Sequence, residues 1–188
     1  TPHKRSLARL VPSFVSRLKN EDVNIIYKEA DKNDILKDGY DGVILATGSR
    51  PSVPPITGLD QFYWADIMKE ENLPENKKIL IIGGGPIGVD IATALIPKGN
   101  KIIIVKRTTD FGEDMEKIAK STALKLMKER GTIFSDYTHI KKIEGNKVYA
   151  ERNGKKIEFK DIDIIVVSAG MKSYNPLEKE LRDNLPVY

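Results

Sequence analysis

The chain contains no cysteine, and this absence removes several classes of chemistry. Without thiols there are no structural disulfides, no thiolate metal sites and no redox-active C-x-x-C pair. Histidine is nearly as scarce, because His3 and His139 are the only two and neither has a companion at metal-ligand spacing. The sequence therefore predicts no zinc site, and no Ser-His-Asp arrangement points to a catalytic side chain.

Long apolar runs and a charge of one sign are also missing. The longest apolar stretch, around residues 79–89, is interrupted by glycine and is too short to span a bilayer. No signal-peptide pattern opens the chain. The 31 basic residues are interspersed with 27 acidic ones, whereas nucleic-acid binding requires basic residues gathered on one face. We expect a cytoplasmic protein that binds neither nucleic acid nor membrane.

The overall composition is that of an ordinary globular protein. The 188 residues are 40% hydrophobic and 31% charged, which is enough to bury a core in one domain or slightly more. The sequence starts at Thr1 rather than Met and stops at Tyr188, where an apolar strand is beginning. From these two ends we expect a piece of a longer polypeptide.

The most informative stretch joins an apolar run to a glycine-rich turn. Residues 78–82 are strand-like, and Gly83, Gly85 and Gly88 then form a G-x-G-x-x-G pattern that leads into an amphipathic segment. In this context the pattern predicts a strand, a phosphate-binding turn and the start of a helix. Gly83 would permit the tight turn, Gly85 the approach of a pyrophosphate and Gly88 close packing of the helix.

Two further features define this turn. Pro86 suits the first turn of a helix, and no lysine follows as in the G-K-[ST] of a Walker-type nucleotide loop. The helix start would contribute amide groups and a dipole that favour phosphate. The alternative is a glycine turn that only joins a strand to a helix.

The end of the next strand, residues 101–107, distinguishes between cofactors. The first strand, the helix and this strand make a β-α-β unit of the length that a mononucleotide-binding half requires. An acidic residue at the strand end would accept the ribose 2′-OH of NAD, but Lys106 and Arg107 stand there. Because cations attract a 2′-phosphate, we expect a preference for NADP(H). The alternative is two ordinary exposed cations.

The remaining patterns predict a mixed architecture. Apolar spacing over residues 2–19 predicts a helix that Pro12 kinks or divides, and residues 23–27 predict a strand. Residues 43–46 predict a buried parallel strand, and residues 162–167 repeat that pattern. We also expect a linker helix over 62–71, a long helix over 114–130 capped by Glu113 and Asp114, a short helix from 177, and an antiparallel meander at 132–135, 139–143, 147–150 and 156–159.

Three stretches of the sequence, residues 40–51, 79–90 and 163–175, together resemble the two-dinucleotide-binding-domain flavoproteins, the pyridine nucleotide-disulphide oxidoreductase fold. Within that family the sequence is most similar to the carboxyl-terminal part of the 2,4-dienoyl-CoA reductase and NADH:flavin oxidoreductase group. Pro2-His3-Lys4 and the lack of C-x-x-C also fit that group. The resemblance implies an α/β, Rossmann-like FAD/NAD(P)-binding fold, with a parallel sheet and an antiparallel β-meander.

The resemblance also implies a domain organisation and a function. In such proteins the nicotinamide domain is inserted into the FAD domain, so residues 1–60 would be part of an FAD-binding half. Residues 61–76 would be a linker and 77–188 the NAD(P)-binding domain. In the intact parent the chain would take part in passing a hydride from NAD(P)H to FAD, with no complete reaction of its own. The implied cofactor-binding residues are Gly83, Gly84, Gly85, Pro86, Ile87, Gly88, Lys106, Arg107, Ala169, Gly170, Ala46, Thr47 and Gly48.

The sequence departs from the family pattern in several places. The family's first glycine motif and its Gly-Asp motif, which both serve FAD, are absent from this sequence. Asp90 stands where the second glycine motif usually has glutamate, and Ser168 replaces the usual residue of the last small-small-Gly turn. We therefore expect the chain to hold FAD poorly without the remainder of the parent flavoprotein. A non-catalytic module that binds ADP stays open, as does an interaction domain that kept only the fold.

Overall fold

The structure is a computed structural model that describes residues 7–59, 64–69 and 73–188. The chain divides into two units by its internal contacts. Pro51–Gly170 form the first unit, and residues 7–50 together with Met171–Tyr188 form the second.

The described residues form helices and strands in a mixed order. The helices are α1 (Leu10–Asn20), α2 (Lys32–Lys37), α3 (Trp64–Ile67), α4 (Pro86–Leu95), α5 (Lys117–Glu129) and α6 (Glu178–Arg182). The strands are β1 (Ser49–Pro51), β2 (Lys78–Ile82), β3 (Lys101–Val105), β4 (Ile133–Ser135), β5 (Thr138–Glu144), β6 (Lys147–Arg152), β7 (Lys155–Phe159), β8 (Ile164–Val167) and β9 (Met171–Ser173). The predicted linker helix over 62–71 lies partly outside the described residues, and α3 is the part that the structure shows.

A parallel sheet with strand order β4-β3-β2-β8 forms the centre of the first unit. Strands β2 and β3 pair over their whole length, from Lys78 opposite Lys101 to Ile82 opposite Val105. Both strands are almost entirely apolar because both faces of the sheet are covered. This arrangement confirms the predicted β-α-β unit and the α/β fold class.

The two faces of the parallel sheet bury different clusters. Adjacent strand residues point to opposite faces, so Ile81 packs toward helix α4 while Leu80 packs toward the meander. On the helical side the cluster includes Leu95 of α4 and Met127 of α5. On the other side Val148 of β6 closes the core.

The antiparallel meander is confirmed for β5-β6-β7. The assignment of residues 132–135 to the meander is wrong, because β4 pairs in parallel with β3 at the edge of the central sheet. The second turn of the meander is Asn153-Gly154, where both residues have positive φ, as a two-residue hairpin requires. The proline-rich segment before α3 lies along this sheet. Ile143 N donates to Thr57 O at 2.8 Å, and a Cβ on Gly58 would overlap the Ile143 carbonyl. Glycine is therefore needed at position 58.

In the second unit, helix α1 starts at Leu10 and runs through Pro12. Arg9 is the N-cap, so Pro12 falls in the first turn, where its missing N–H would have no intrahelical acceptor. Pro12 therefore does not divide helix α1, which is continuous from Leu10 to Asn20. Helix α2 is short, and it begins with a capping box between Asp31 and Asp34.

Two predicted strands of the second unit are wrong. Residues 23–27 pair with no strand in the described part of the chain. Residues 43–46 make only one bridge, between Val43 and Val187, and the side chain of Ile44 is 81% exposed. Both runs have the composition of buried strands, but a strand also needs a neighbouring strand to accept and donate its backbone hydrogen bonds. For residues 43–46 the described chain supplies only residues 186–188 as such a neighbour.

The start of helix α5 also differs from the prediction. Its N-cap is Glu116, whose carboxylate accepts hydrogen bonds from Ile118 N and Ala119 N at 2.9 Å each. Glu113 and Asp114 do not cap the helix. Asp114 has φ of +66°, a left-handed backbone that places it outside the helix.

Asn100, directly before strand β3, forms side-chain hydrogen bonds with three backbone groups. Its buried amide accepts from Lys77 N at 2.8 Å and donates to Pro74 O at 2.7 Å and Leu95 O at 2.8 Å. We predict that Asn100→Ala lowers the free energy of unfolding by about 2 kcal/mol, because buried partners lose their hydrogen bonds. Urea denaturation followed by circular dichroism measures this loss. The control Asn146→Ala, at an exposed turn, should change stability by less than about 0.5 kcal/mol, and equal losses would contradict the prediction.

Candidate functional site

The candidate site lies at the carboxyl edge of the parallel sheet. Strand β2 has β3 on one side and β8 on the other, so the chain order reverses beside it. In open α/β sheets such a switch point, outside the carboxyl ends of the strands, is where ligands bind. The turns that follow the three strands start at Gly83, Lys106 and Ser168, and they are bonded to neighbouring strands: Gly83 N donates to Val105 O, and Ser168 N to Ile82 O.

The glycine turn is closed around two positions that admit no side chain. Gly83 has φ of +115°, and a Cβ there would overlap the carbonyl of Ser168. A Cβ on Gly88 would overlap the carbonyl oxygen of Gly83. The start of helix α4 thus packs directly on the turn, which is the close approach that the glycine spacing predicts.

Gly84 is covered from the other side by the loop that follows β3. Gly112 N donates to Gly84 O at 2.8 Å, and a Cβ on Gly84 would lie 2.5 Å from the ring of Phe111. Phe111 is buried and packs edge-to-face on Phe134, with ring centroids 5.1 Å apart. This loop therefore fixes one side of the turn.

Gly85 is the open position of the turn. A Cβ there would meet no atom of the described chain within 4 Å, and its φ of −77° is an ordinary backbone value. Gly85 is also the N-cap of α4, with Pro86 as the first helical residue. The amides of the first helical turn have no intrahelical acceptor, and the helix dipole adds partial positive charge there. A phosphate can therefore approach the backbone at Gly85, Ile87 and Gly88.

Ser168 is a part of the site that the sequence analysis noted only as a departure. Its side chain is buried, and its hydroxyl donates to Gly83 O at 2.8 Å and lies 3.3 Å from Ile82 O. The hydroxyl therefore satisfies the carbonyl on which Gly88 packs. The signal in the sequence was a polar residue directly after a buried apolar strand. Beyond it Ala169 and Gly170 are exposed.

The two cations after β3 are in different situations. Lys106 Nζ donates to Asp110 O at 2.6 Å and to a carboxylate oxygen of Glu113 at 2.5 Å, and only 13% of its side chain is exposed. Arg107 is exposed and has no hydrogen-bond or ion-pair partner among the described residues. The carboxylate of Asp110 pairs with Lys120, and this hydrogen bond holds the pKa of Asp110 below its usual value.

The predicted residues Ala46, Thr47 and Gly48 belong to the second unit. The Thr47 hydroxyl donates to Tyr174 O and lies 3.2 Å from Asn175 Oδ1. Gly48 has φ of +82°, and its carbonyl accepts from Tyr174 N. The guanidinium of Arg50 stacks 3.6 Å from the centre of the Tyr174 ring. The structure thus ties this turn to residues 174–175, a link that the sequence did not reveal.

Two other kinds of site are absent from the described residues. Across 7–59, 64–69 and 73–188, no three His, Asp or Glu side chains are grouped so that they could hold a metal ion. In the same ranges, none of the helices has the length and apolar character that crossing a membrane requires.

Known proteins similar to this chain include reductases and dehydrogenases. A cinnamate reductase of Clostridium sporogenes is 29% identical over 181 residues, which are 94% of this chain and 27% of that protein. A dihydrolipoyl dehydrogenase of Acholeplasma laidlawii is 30% identical over 138 residues, which are 70% of this chain and 40% of that protein. The chain thus spans well under half the length of these relatives.

A solved structure and a family model lead to the same class of protein as these relatives. The solved structure of a 2-naphthoyl-CoA reductase superposes with a TM-score of 0.79 at 22% identity, over 96% of this chain and 28% of that chain, which shows a shared fold. The family model for pyridine nucleotide-disulphide oxidoreductases matches residues 7–185. The chain therefore belongs to the pyridine nucleotide-disulphide oxidoreductase family, flavoproteins that use FAD and NAD(P)H.

Proposed function

We propose that this chain is the nicotinamide-dinucleotide-binding part of a flavin-dependent oxidoreductase, in whose intact parent a hydride passes from NAD(P)H to FAD. The observation that carries the proposal is the turn at the switch point of the sheet. Gly83 and Gly88 have no room for a side chain, while Gly85 opens at the start of helix α4. This combination suits a bound pyrophosphate.

The chain's own residues would bind and orient the nucleotide. The backbone of residues 83–88 would hold the pyrophosphate, with Pro86 and Ile87 in the first helical turn. Ser168 would keep the turn in place, and the exposed Ala169 and Gly170 would border the bound nucleotide. When bound, the dinucleotide supplies the hydride, so no catalytic side chain is required of this part.

We propose that Arg107 contributes most to a preference for NADP(H). Lys106 and Arg107 both follow β3, where a ribose 2′-phosphate would be recognised. Lys106 is already held by Glu113, whereas the guanidinium of Arg107 is exposed and can pair with phosphate in a bidentate way.

The second unit would be part of an FAD-binding domain that the remainder of the parent flavoprotein completes. Helix α1 buries none of its described side chains, although Leu10, Val11 and Phe14 are apolar. Such an apolar surface needs a covering partner. Ala46, Thr47 and Gly48 would lie near the flavin. The proposed domain boundaries are 1–60, 61–76 and 77–188, while the contacts within the structure change at 50/51 and 170/171.

Within the family, we propose that this chain is related to the 2,4-dienoyl-CoA reductase group. We also propose that the protein is located in the cytoplasm. The similarity to a cinnamate reductase over 94% of this chain supports the proposed relationship, and the fold shared with a 2-naphthoyl-CoA reductase agrees with it. The absence of cysteine from this chain also fits a flavoprotein that relays electrons without a disulfide in this part.

A non-catalytic module that holds ADP is the second candidate. The open position at Gly85 favours it as well, because the pyrophosphate of ADP would fit the same backbone. Such a module would bind ADP as tightly as NADPH and would not support reduction of flavin in the parent protein. Competition between ADP and NADPH, measured by calorimetry, separates the two candidates.

Gly85→Ala tests the phosphate site without disturbing the fold. The new methyl group would have space within the protein and would intrude only on a bound pyrophosphate. We predict that NADH and NADPH bind about tenfold more weakly or worse, since a hydrogen bond to a charged group is worth about 1.5–3 kcal/mol. Gly42→Ala makes the same change where a Cβ would have only ordinary contacts, and it should leave both affinities unchanged. Unaltered binding by Gly85→Ala would contradict the proposed site.

Ser168→Ala tests the hydroxyl that holds the turn. Loss of the bond to Gly83 O should cost about 1 kcal/mol of stability and weaken nucleotide binding about fivefold. Ser135→Ala removes another buried hydroxyl, which is bonded to Thr138 instead, and should lower stability without changing affinity. Calorimetric titration and urea denaturation together separate the two effects. A similar loss of affinity in both variants would show that Ser168 has no specific role in nucleotide binding.

Arg107→Ala tests the nucleotide preference. We predict that NADPH binds about fivefold more weakly while NADH is little changed, because an exposed ion pair is worth up to about 1 kcal/mol. Arg130→Ala, at the exposed end of helix α5, is the matched control. Titration of each variant with both nucleotides gives the ratio of the dissociation constants, and an equal loss for NADH and NADPH would argue against a contact with the 2′-phosphate.

A further inference from the structure

The pairing of Lys106 is fixed beside the glycine turn. Its ammonium group contacts Glu113 at 2.5 Å and Asp110 O at 2.6 Å, with little of the side chain exposed. The loop that carries Glu113 is itself bonded to the turn through Gly112 N and Gly84 O. The Cβ of Lys106 also lies 3.2 Å from the position that a Cβ on Gly84 would occupy. The ion pair thus belongs to the wall of the proposed nucleotide site.

We propose that Glu113 lowers the preference of this site for NADPH by competing with a ribose 2′-phosphate for Lys106. The proposal rests on the proposed function, because it assumes that a nicotinamide dinucleotide binds at the glycine turn. Binding of NADPH then requires Lys106 to leave Glu113, or places the phosphate beside a carboxylate. NADH has no 2′-phosphate and leaves the ion pair intact. Glu113 therefore reduces the preference for NADPH that two adjacent cations would otherwise produce.

The neighbouring carboxylates of the loop do not share this position. The carboxylate of Asp110 pairs with Lys120, and only its backbone oxygen contacts Lys106. Asp114 has no hydrogen-bond or ion-pair partner in the described part of the chain, and it follows Glu113 directly. Among the described residues, Glu113 is thus the carboxylate that pairs with Lys106. Its side chain is 57% exposed, so substitution should leave the fold intact.

The test compares two variants with the same change of charge. Glu113→Gln removes the carboxylate that holds Lys106, and Asp114→Asn removes its neighbour, where asparagine tolerates the left-handed backbone. Calorimetry on the 188-residue chain gives the dissociation constants of NADH and NADPH. In Glu113→Gln the ratio of the NADH constant to the NADPH constant should rise about fivefold, on the scale of an exposed ion pair. In Asp114→Asn the rise should be clearly smaller.

Lys106→Met shows whether the effect acts through the lysine. In the Lys106→Met background, Glu113→Gln should no longer alter the ratio. An equal rise in Glu113→Gln and Asp114→Asn would indicate a general charge effect and would overturn the proposal, as would a rise that persists in Lys106→Met. If the unsubstituted chain bound neither nucleotide, the proposed function itself would fail, and this proposal with it.

Discussion

The structure of the candidate site depends on one close contact, that of Gly88 with the carbonyl of Gly83. This contact brings the first turn of helix α4 against the end of strand β2, so that the helix amides and dipole act where the strand order of the sheet reverses. It also buries a carbonyl oxygen, which would be costly without a donor. The hydroxyl of Ser168 supplies that donor from the end of β8. Two glycines and one serine thus define the turn.

Much of the first unit could be predicted because its strands and its glycine turn are determined by residues that are close together in the sequence. A strand covered on both faces is a continuous apolar run, and glycines at positions 83, 85 and 88 have few other uses between a strand and a helix. The prediction of strands from the same apolar composition was wrong at residues 23–27 and 43–46. There the apolar runs are present, but the described chain does not provide the neighbouring strands, and a ladder is a property of two segments rather than one.

The side chains of the site were harder to predict than its backbone. Spacing in the sequence placed Lys106 and Arg107 together, yet their states differ because a residue seven positions later turns back onto Lys106. Before Glu113, the same loop is held to the turn by the hydrogen bond from Gly112 N to Gly84 O and by the packing of Phe111 over Gly84. A motif identifies which residues reach a site, whereas the structure of the connecting loop decides which of them stay free to bind.

The two units differ in how far each can sustain its own structure. The sheet of the first unit is covered on both faces, whereas in the described part of the second unit Leu181 is the one buried apolar side chain. Helix α1 has 11 residues, and isolated helices shorter than about 12–15 residues are marginal in water. Helix α1 therefore needs packing of its apolar side chains in order to be stable. The proposed nucleotide site lies within the first unit, whose core is formed by its own sheet and helices.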